Sequence, residues 1–273
     1  MQRASASTDG ETAGFGILPM LLSRYRYALV SFASVAAGIV LWELLARSGW
    51  FSPILLPSPG AVWSEFLRLS AESDLWTNYV VTLRRLFLGL GVAVLCGVPV
   101  GLLMGMSLVA RGLLNPPIEL YRPLPAISYF AILIMWFGIG EQSIVSVLAL
   151  GGFPPIVLET LHAVGKVRKE RIEGARSMGL STAGVIRHVV LPSCLPQILT
   201  GIRVGLGLAY SVVVAAEMVA STSGLGWMVY NASQFVESGT VITGLVLMGL
   251  TGLALDGLMQ IIQRKLVPWV AHA

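Results

Sequence analysis

LFLGLGVAVLCGVPVGLLMGMSLVA, residues 86–110, runs without one charged side chain. A helix rises ~1.5 Å per residue, so this stretch exceeds the roughly 20 residues that cross a bilayer core. Lipid offers no hydrogen bonds, and in an open chain only the helix satisfies each backbone N–H and C=O internally. Comparable runs occur at 27–46, 143–164, 195–221 and 241–262. A sixth, 124–139, is shorter and opens with Pro123 and Pro125. The expected fold is all-α: a polytopic membrane protein of about six transmembrane helices.

Composition points the same way. The chain is 55% hydrophobic and 12% charged, with a mean hydropathy of +0.79, whereas soluble domains carry about 25% charged residues. A net charge of +4 is too small to argue for nucleic acid. Cys96 lies in an apolar run and Cys194 beside a basic loop, so neither a disulfide framework nor a metal site is expected. The chain has no Gly-x4-Gly-Lys-Ser/Thr phosphate loop and no His-Glu-x-x-His pair. It therefore reads as no enzyme, with no cofactor of its own and no ATP site of the usual kind.

Basic residues set the orientation. With the N-terminus inside, the inner segments hold Arg3, Arg24, Arg26, Arg111, Arg122, Lys166, Arg168, Lys169, Arg171, Arg176, Arg187, Arg264 and Lys265. The outside keeps Arg47, Arg68, Arg84 and Arg85, and Arg203 falls within a span. Both termini are thus expected in the cytoplasm of a cell whose inner membrane holds the protein. Arg84 and Arg85, at the outer end of the second span, are the awkward pair. The first residues lack the apolar stretch of a cleavable signal. Four segments follow: 1–23, a disordered cytoplasmic tail; 24–85, the first span and an outer amphipathic segment; 86–262, the membrane core with an inner loop at 165–194; and 263–273, a cytoplasmic tail. Within the second, Pro53, Pro57 and Pro59 precede a helical apolar pattern at 61–69. This predicts a short helix lying at the outer surface or packed on the protein.

Some residues stand out inside the spans. Gly97, Gly101 and Gly105 share a helix face and permit close approach of another helix, as packing or as a moving seam near a pore. Pro99 predicts a kink. Gly151, Gly152, Phe153, Pro154 and Pro155 predict a break in the fourth helix, with irregular backbone facing a water-filled route. Arg203 is expected to snorkel to the inner interface or to line the pathway. Glu217, near the outer end, reads either as part of a gate or partner contact or as a solvated helix end. Asp256 and Glu43 are expected to pair within the bundle or reach water.

The inner loop carries the most information. EGARSMG at 173–179 is followed by nine residues and then VVLP at 189–192. Good helix formers lead up to Gly179, a fitting terminator, and Pro192 suits the first turn of a following helix. A helical hairpin at the inner face is a natural docking element, and a merely basic inner loop is the alternative.

This loop resembles the "EAA" coupling motif of ABC importer permeases. Glu173, Ala175, Gly179, Leu191 and Pro192 match in register, while Gly174 replaces an alanine and Val189 an isoleucine. The resemblance continues through LPSP at 56–59, GVPVGLLMG at 97–105, ELYRPLP at 119–125, WFGIGE at 136–141, TGIRVGLG at 200–207, AAE at 215–217 and GLG at 224–226. Together these are similar to the nitrate/sulfonate/taurine branch, and ELYRPLP with QRKLVPW at 263–269 looks most like taurine permeases. SYFA at 128–131 departs from it, where relatives tend to place tryptophan and proline. The resemblance implies a MetI-like type I importer core. It also implies cytoplasmic ABC ATPase subunits docked on Glu173, Gly174, Ala175, Gly179, Leu191 and Pro192, an external solute-binding protein, and a second copy of the chain. The implied cargo is taurine or another sulfonate, with nitrate, bicarbonate or a pyrimidine precursor as alternatives. Gly151, Gly152, Pro154, Arg203 and Glu217 are the candidates for pore or gate.

Overall fold

The computed structural model describes residues 17–72 and 74–270. Among them every regular element is helical. The chain divides into two units, 1–63 and 64–273. Residues 1–16 of the expected tail lie outside the described residues, and 17–23 form the first turns of α1 (Ile17–Arg47). From Leu29 onward α1 leaves Phe32, Val35, Ile39 and Leu44 exposed within its unit, as a lipid-facing helix would. Trp42 Nε1 donates to Pro57 O at 3.0 Å and ties the following turn back to the helix. Glu43 pairs with Arg47 one turn on.

α2 (Pro59–Ala71) begins with proline at a position where a missing N–H costs nothing. Ser58 Oγ accepts from Ala61 N at 3.3 Å. The second half of α2 is packed on the protein: Leu69 is buried, and Glu65 Oε1 accepts from Thr240 Oγ1 at 2.8 Å.

The remaining helices are α3 (Asp74–Met106), α4 (Leu108–Tyr121), α5 (Ala126–Phe137), α6 (Glu141–Gly165), α7 (Lys169–Ser177), α8 (Thr182–Val185), α9 (Leu191–Ala220), α10 (Leu225–Gln234) and α11 (Ser238–Leu266). α3 lies against α6 along a seam without side chains on one side. A Cβ on Gly89, Gly97, Gly101 or Gly105 would stand 2.4, 2.9, 2.6 or 2.5 Å from Leu148, Ile156, Thr160 or Val164. Both series rise together by fours, so α3 and α6 run parallel. The connector between parallel helices must return across the bilayer. It does so through α4 and α5, bent by 103° between Tyr121 and Ala126. The expected sixth span at 124–139 is therefore half of a broken crossing. Ser107 starts it by capping Ala110 N.

α6 and α9 run antiparallel with glycine facing glycine: a Cβ on Gly205 would lie 3.0 Å from Gly152 O. The break expected at 151–155 does not form. Gly152 and Pro154 are buried inside an unbroken α6, because interhelical packing outweighs weak local propensity. The second span also starts earlier than its apolar run, at Asp74, which carries Arg85 into the bundle.

Two outcomes are expected. Gly101→Ala should lower stability by about 1–3 kcal/mol through overpacking, while Gly91→Ala, whose Cβ meets nothing within 4 Å, should not; thermal unfolding in detergent reads both. The hydrogen bond from Arg68 first, then that from Thr240, holds the Glu65 carboxyl below its ordinary value against the opposing effect of burial. Its contribution is then complete above the unfolded value of about 4.3 and fades as pH falls through the lower folded one. Amide exchange across 59–71, corrected for intrinsic rates, should be flat down to about pH 4.5 and rise below about pH 4. Glu65→Gln should abolish that step.

Candidate functional site

One end of the bundle carries a helical hairpin. α7 ends in a Schellman turn: Leu180 N donates to Ala175 O at 3.2 Å and Gly179 N to Arg176 O at 2.9 Å. The turn needs φ of +84° at Gly179, a conformation that favours glycine. Of the hairpin residues singled out in the sequence, Glu173, Gly174, Gly179, Leu191 and Pro192 are exposed and Ala175 is buried. Ala175 packs in one cluster with Ala163 and Val164 of α6, Val185 of α8, and Cys194 of α9. The hairpin is thus open to a partner on one side and keyed to two long helices on the other.

Pro192 does not open the returning helix. That helix starts at Thr182, capped by Ser181 Oγ on Gly184 N. It passes through a π turn, Ile186–Val190, in which Leu191 N donates to Ile186 O. Widening one turn in this way eases entry of Pro192 and Pro196, which bring no donors of their own. Beside the π turn lies a cleft of about 780 Å³ walled by Glu170, Gly174, Met178, His188, Pro192 and Trp269.

The opposite end holds a buried knot of charge. Glu217 on α9 has no exposed surface. Arg85 Nη1 donates to its Oε1 at 2.9 Å, Thr82 Oγ1 to Oε2 at 2.9 Å, and Gly226 N to Oε2 at 3.0 Å. Arg85 also donates to Ser223 O at 2.8 Å and to Glu141 Oε2 at 3.0 Å. Glu141 in turn accepts from the exposed Arg84 at 2.8 Å. Gly224 N donates to Asn78 Oδ1 at 2.7 Å and Leu225 N to Thr82 Oγ1 at 2.8 Å. Gly224, at φ +108°, must be bare because a Cβ there would meet the Glu217 carboxylate at 2.3 Å. The solvated-end reading of Glu217 is overturned: it is the hub that seats α10 on α3. Arg85, Thr82, Asn78 and Glu141 were not singled out as a site, and the adjacent arginines at the outer end were their one sequence signal.

Arg203 does not snorkel. Its Nε and Nη2 donate to Asp256 Oδ1 and Oδ2 at 2.5 and 2.7 Å, a bidentate pair between α9 and α11. Gln260 Nε2 donates to the same Asp256 Oδ2 at 2.9 Å. Gly151, Gly152 and Pro154 sit on α6 and are not gathered with Arg203 or Glu217 into one site. Among the described residues no His/Cys/Asp/Glu group could hold a metal ion.

Residues 97–268 match the family described as binding-protein-dependent transport system inner membrane component. The chain is 39% identical over 249 residues to the taurine transport system permease protein TauC of Escherichia coli (strain K12), covering 89% of this chain and 90% of that one. It is 33% identical over 231 residues to the putative aliphatic sulfonates transport permease protein SsuC of the same strain, covering 85% and 88%. Among solved structures, a chain of the MetNI methionine ABC transporter in an inward-facing conformation superposes with a TM-score of 0.63. That match has 21% identity and covers 77% of this chain and 99% of the other, so it speaks for the fold.

Glu217→Ala would leave the Arg85 guanidinium, 6% exposed, without its buried countercharge. The expected loss is about 3–5 kcal/mol. Replacing both by apolar residues, Arg85→Met with Glu217→Leu, should cost clearly less. Thermal unfolding of the purified variants in detergent checks the order.

Proposed function

The chain belongs to the family of binding-protein-dependent transport system inner membrane components, and we propose that it carries taurine across the inner membrane. It is an ABC importer permease of the taurine and sulfonate branch, a subunit whose relatives are permeases rather than enzymes. In our reading it works as one of two copies, with two cytoplasmic ATPases beneath and a solute-binding protein outside. The observation that carries this reading is the hairpin, exposed along Glu173 and Gly174 and anchored underneath by Ala175.

The geometry supports a mechanical account. α7 ends in a Schellman turn, rests on α8 and the π turn, and through Ala175 shares one hydrophobic cluster with the end of α6 and the start of α9. Force applied to α7 by an ATPase is therefore delivered to both helices at once. The π turn at Ile186–Val190 is the weak point at which the base of α9 can tilt. At the far end the charge knot fixes α3, α6, α9 and α10 together, so tilt at the base becomes rotation of a unit. ATP is bound and hydrolysed by the partner, since the chain brings no phosphate loop. The basic residues flanking the hairpin, Lys166, Arg168, Lys169, Arg171, Arg176 and Arg187, support a cytoplasmic position for it. Membrane lipid covers the exposed apolar helix faces, and nucleic acid has no part.

Taurine is favoured over the other solutes of the branch by the 39% identity to a taurine permease. Glu173 is exposed, so Glu173→Lys should leave the fold intact while lowering taurine uptake about tenfold or more, a loss of ~1.4 kcal/mol at an interface. The same variant should release the ATPase during co-purification. Unchanged uptake and unchanged co-purification would remove the coupling role.

A further inference from the structure

The Arg203–Asp256 pair stands where an ion pair would not be left facing lipid. Arg203 lies eight residues past Leu195, where the apolar run of α9 begins, about 12 Å along the helix, and Asp256 seven residues before Gln263, where the polar end of α11 begins, about 10 Å along it. Both positions fall inside a bilayer core of ~30 Å. Yet their side chains are 35% and 47% exposed. Ionised groups at such depth face protein or water, not hydrocarbon. The exposed side of the pair opens on a crevice of about 70 Å³ bordered by Gly207, Tyr210 and Gly252. The charge knot at Arg85 and Glu217 offers the contrast: there the charges are sealed, and further protein groups fill their bonding capacity. A pair held only for structure would gain from the same treatment.

We propose that Arg203 and Asp256 form a stepping site for a zwitterion carrying one sulfonate and one ammonium group. This deepens the taurine reading and rests on it. Such a solute is the charge complement of the pair. Its sulfonate takes the Arg203 guanidinium while its ammonium takes the Asp256 carboxylate, so the side-chain pair opens without leaving any charge alone. The exchange is close to balanced, so the solute is held weakly and can leave, as a pathway requires. A simple anion gains no such passage. It competes with Asp256 for Arg203 but offers the displaced carboxylate no counterpart, so it gains one contact where the zwitterion gains two. The pair therefore admits zwitterions and discriminates against plain sulfonates inside the membrane, independently of selection by an external protein.

The test uses Gly207→Cys, a position where an added Cβ meets nothing within 4 Å, in a Cys96→Ala background, because Cys96 is the exposed native thiol and Cys194 is buried. The full-length protein in lipid nanodiscs is labelled with a positively charged, membrane-impermeant methanethiosulfonate reagent. Labelling is expected, slowed severalfold by taurine and not by isethionate, which keeps the sulfonate but carries a hydroxyl in place of the ammonium. Asp256→Asn should erase the protection by taurine. Absence of labelling, equal protection by both solutes, or protection that survives Asp256→Asn would each overturn the site. Uptake by the assembled transporter with the same background separates the two readings. Taurine uptake without protection removes the stepping site alone, whereas no taurine uptake removes the substrate reading and the site with it.

Discussion

Thr160 and Val157 occupy the space a side chain at Gly101 would need, and the rest of the molecule is arranged around that contact. Because glycines recur every four residues on α3 and meet a matching series on α6, the two helices lie side by side and point the same way. Parallel neighbours cannot be joined by a short turn. The chain between them must travel the full thickness of the bilayer, and it does so as a sharply bent helix pair. α9 then settles antiparallel against this frame through its own glycines, and α11 runs antiparallel to α9, tied to it by Tyr210 Oη, which donates to Met248 O at 2.7 Å. In lipid, where no hydrophobic force draws helices together, close backbone approach of this kind is the principal source of association.

Ionised side chains inside the frame are treated in two ways. Near the end away from the hairpin, α3 and the Ser223–Gly226 turn close on one carboxylate of α9, which accepts from Thr82, Arg85 and Gly226. Burial at that cost is tolerable only with full compensation. Deeper in the bundle a second pair is geometrically strong but left ajar. The difference is one of access rather than bond quality, and it separates a fastening from a contact that can be exchanged.

Much of this was legible from the chain alone, and the exceptions share a cause. Apolar runs revealed five spans, and the spacing from Glu173 to Pro192 revealed the hairpin, because both signals are local. Gly151 to Pro155 reads as a break by local propensity; only the arrival of Gly205 on another helix makes the straight form the better one. Arg85 reads as an outer flank since the first turns of α3 are polar, and nothing nearby announces a countercharge. Its partner Glu217 is 132 positions further on. Pro192 looked like a helix start, and the π turn that admits it inside a helix leaves no compositional trace. Where a residue is explained by distant neighbours, one sequence cannot name them.

That separation of 132 positions bears on how the protein is made. At synthesis rates of ~5–20 residues per second, Arg85 emerges roughly 7–26 s before the carboxylate that will neutralise it. Glu141 follows Arg85 after only 56 positions and is the earlier companion. Glu141 can pair with the guanidinium first, and the buried pairing closes only once the helix bearing Glu217 has been released beside it. Biogenesis is thereby given an order: the half-exposed pairing with Glu141 can form before the buried one with Glu217.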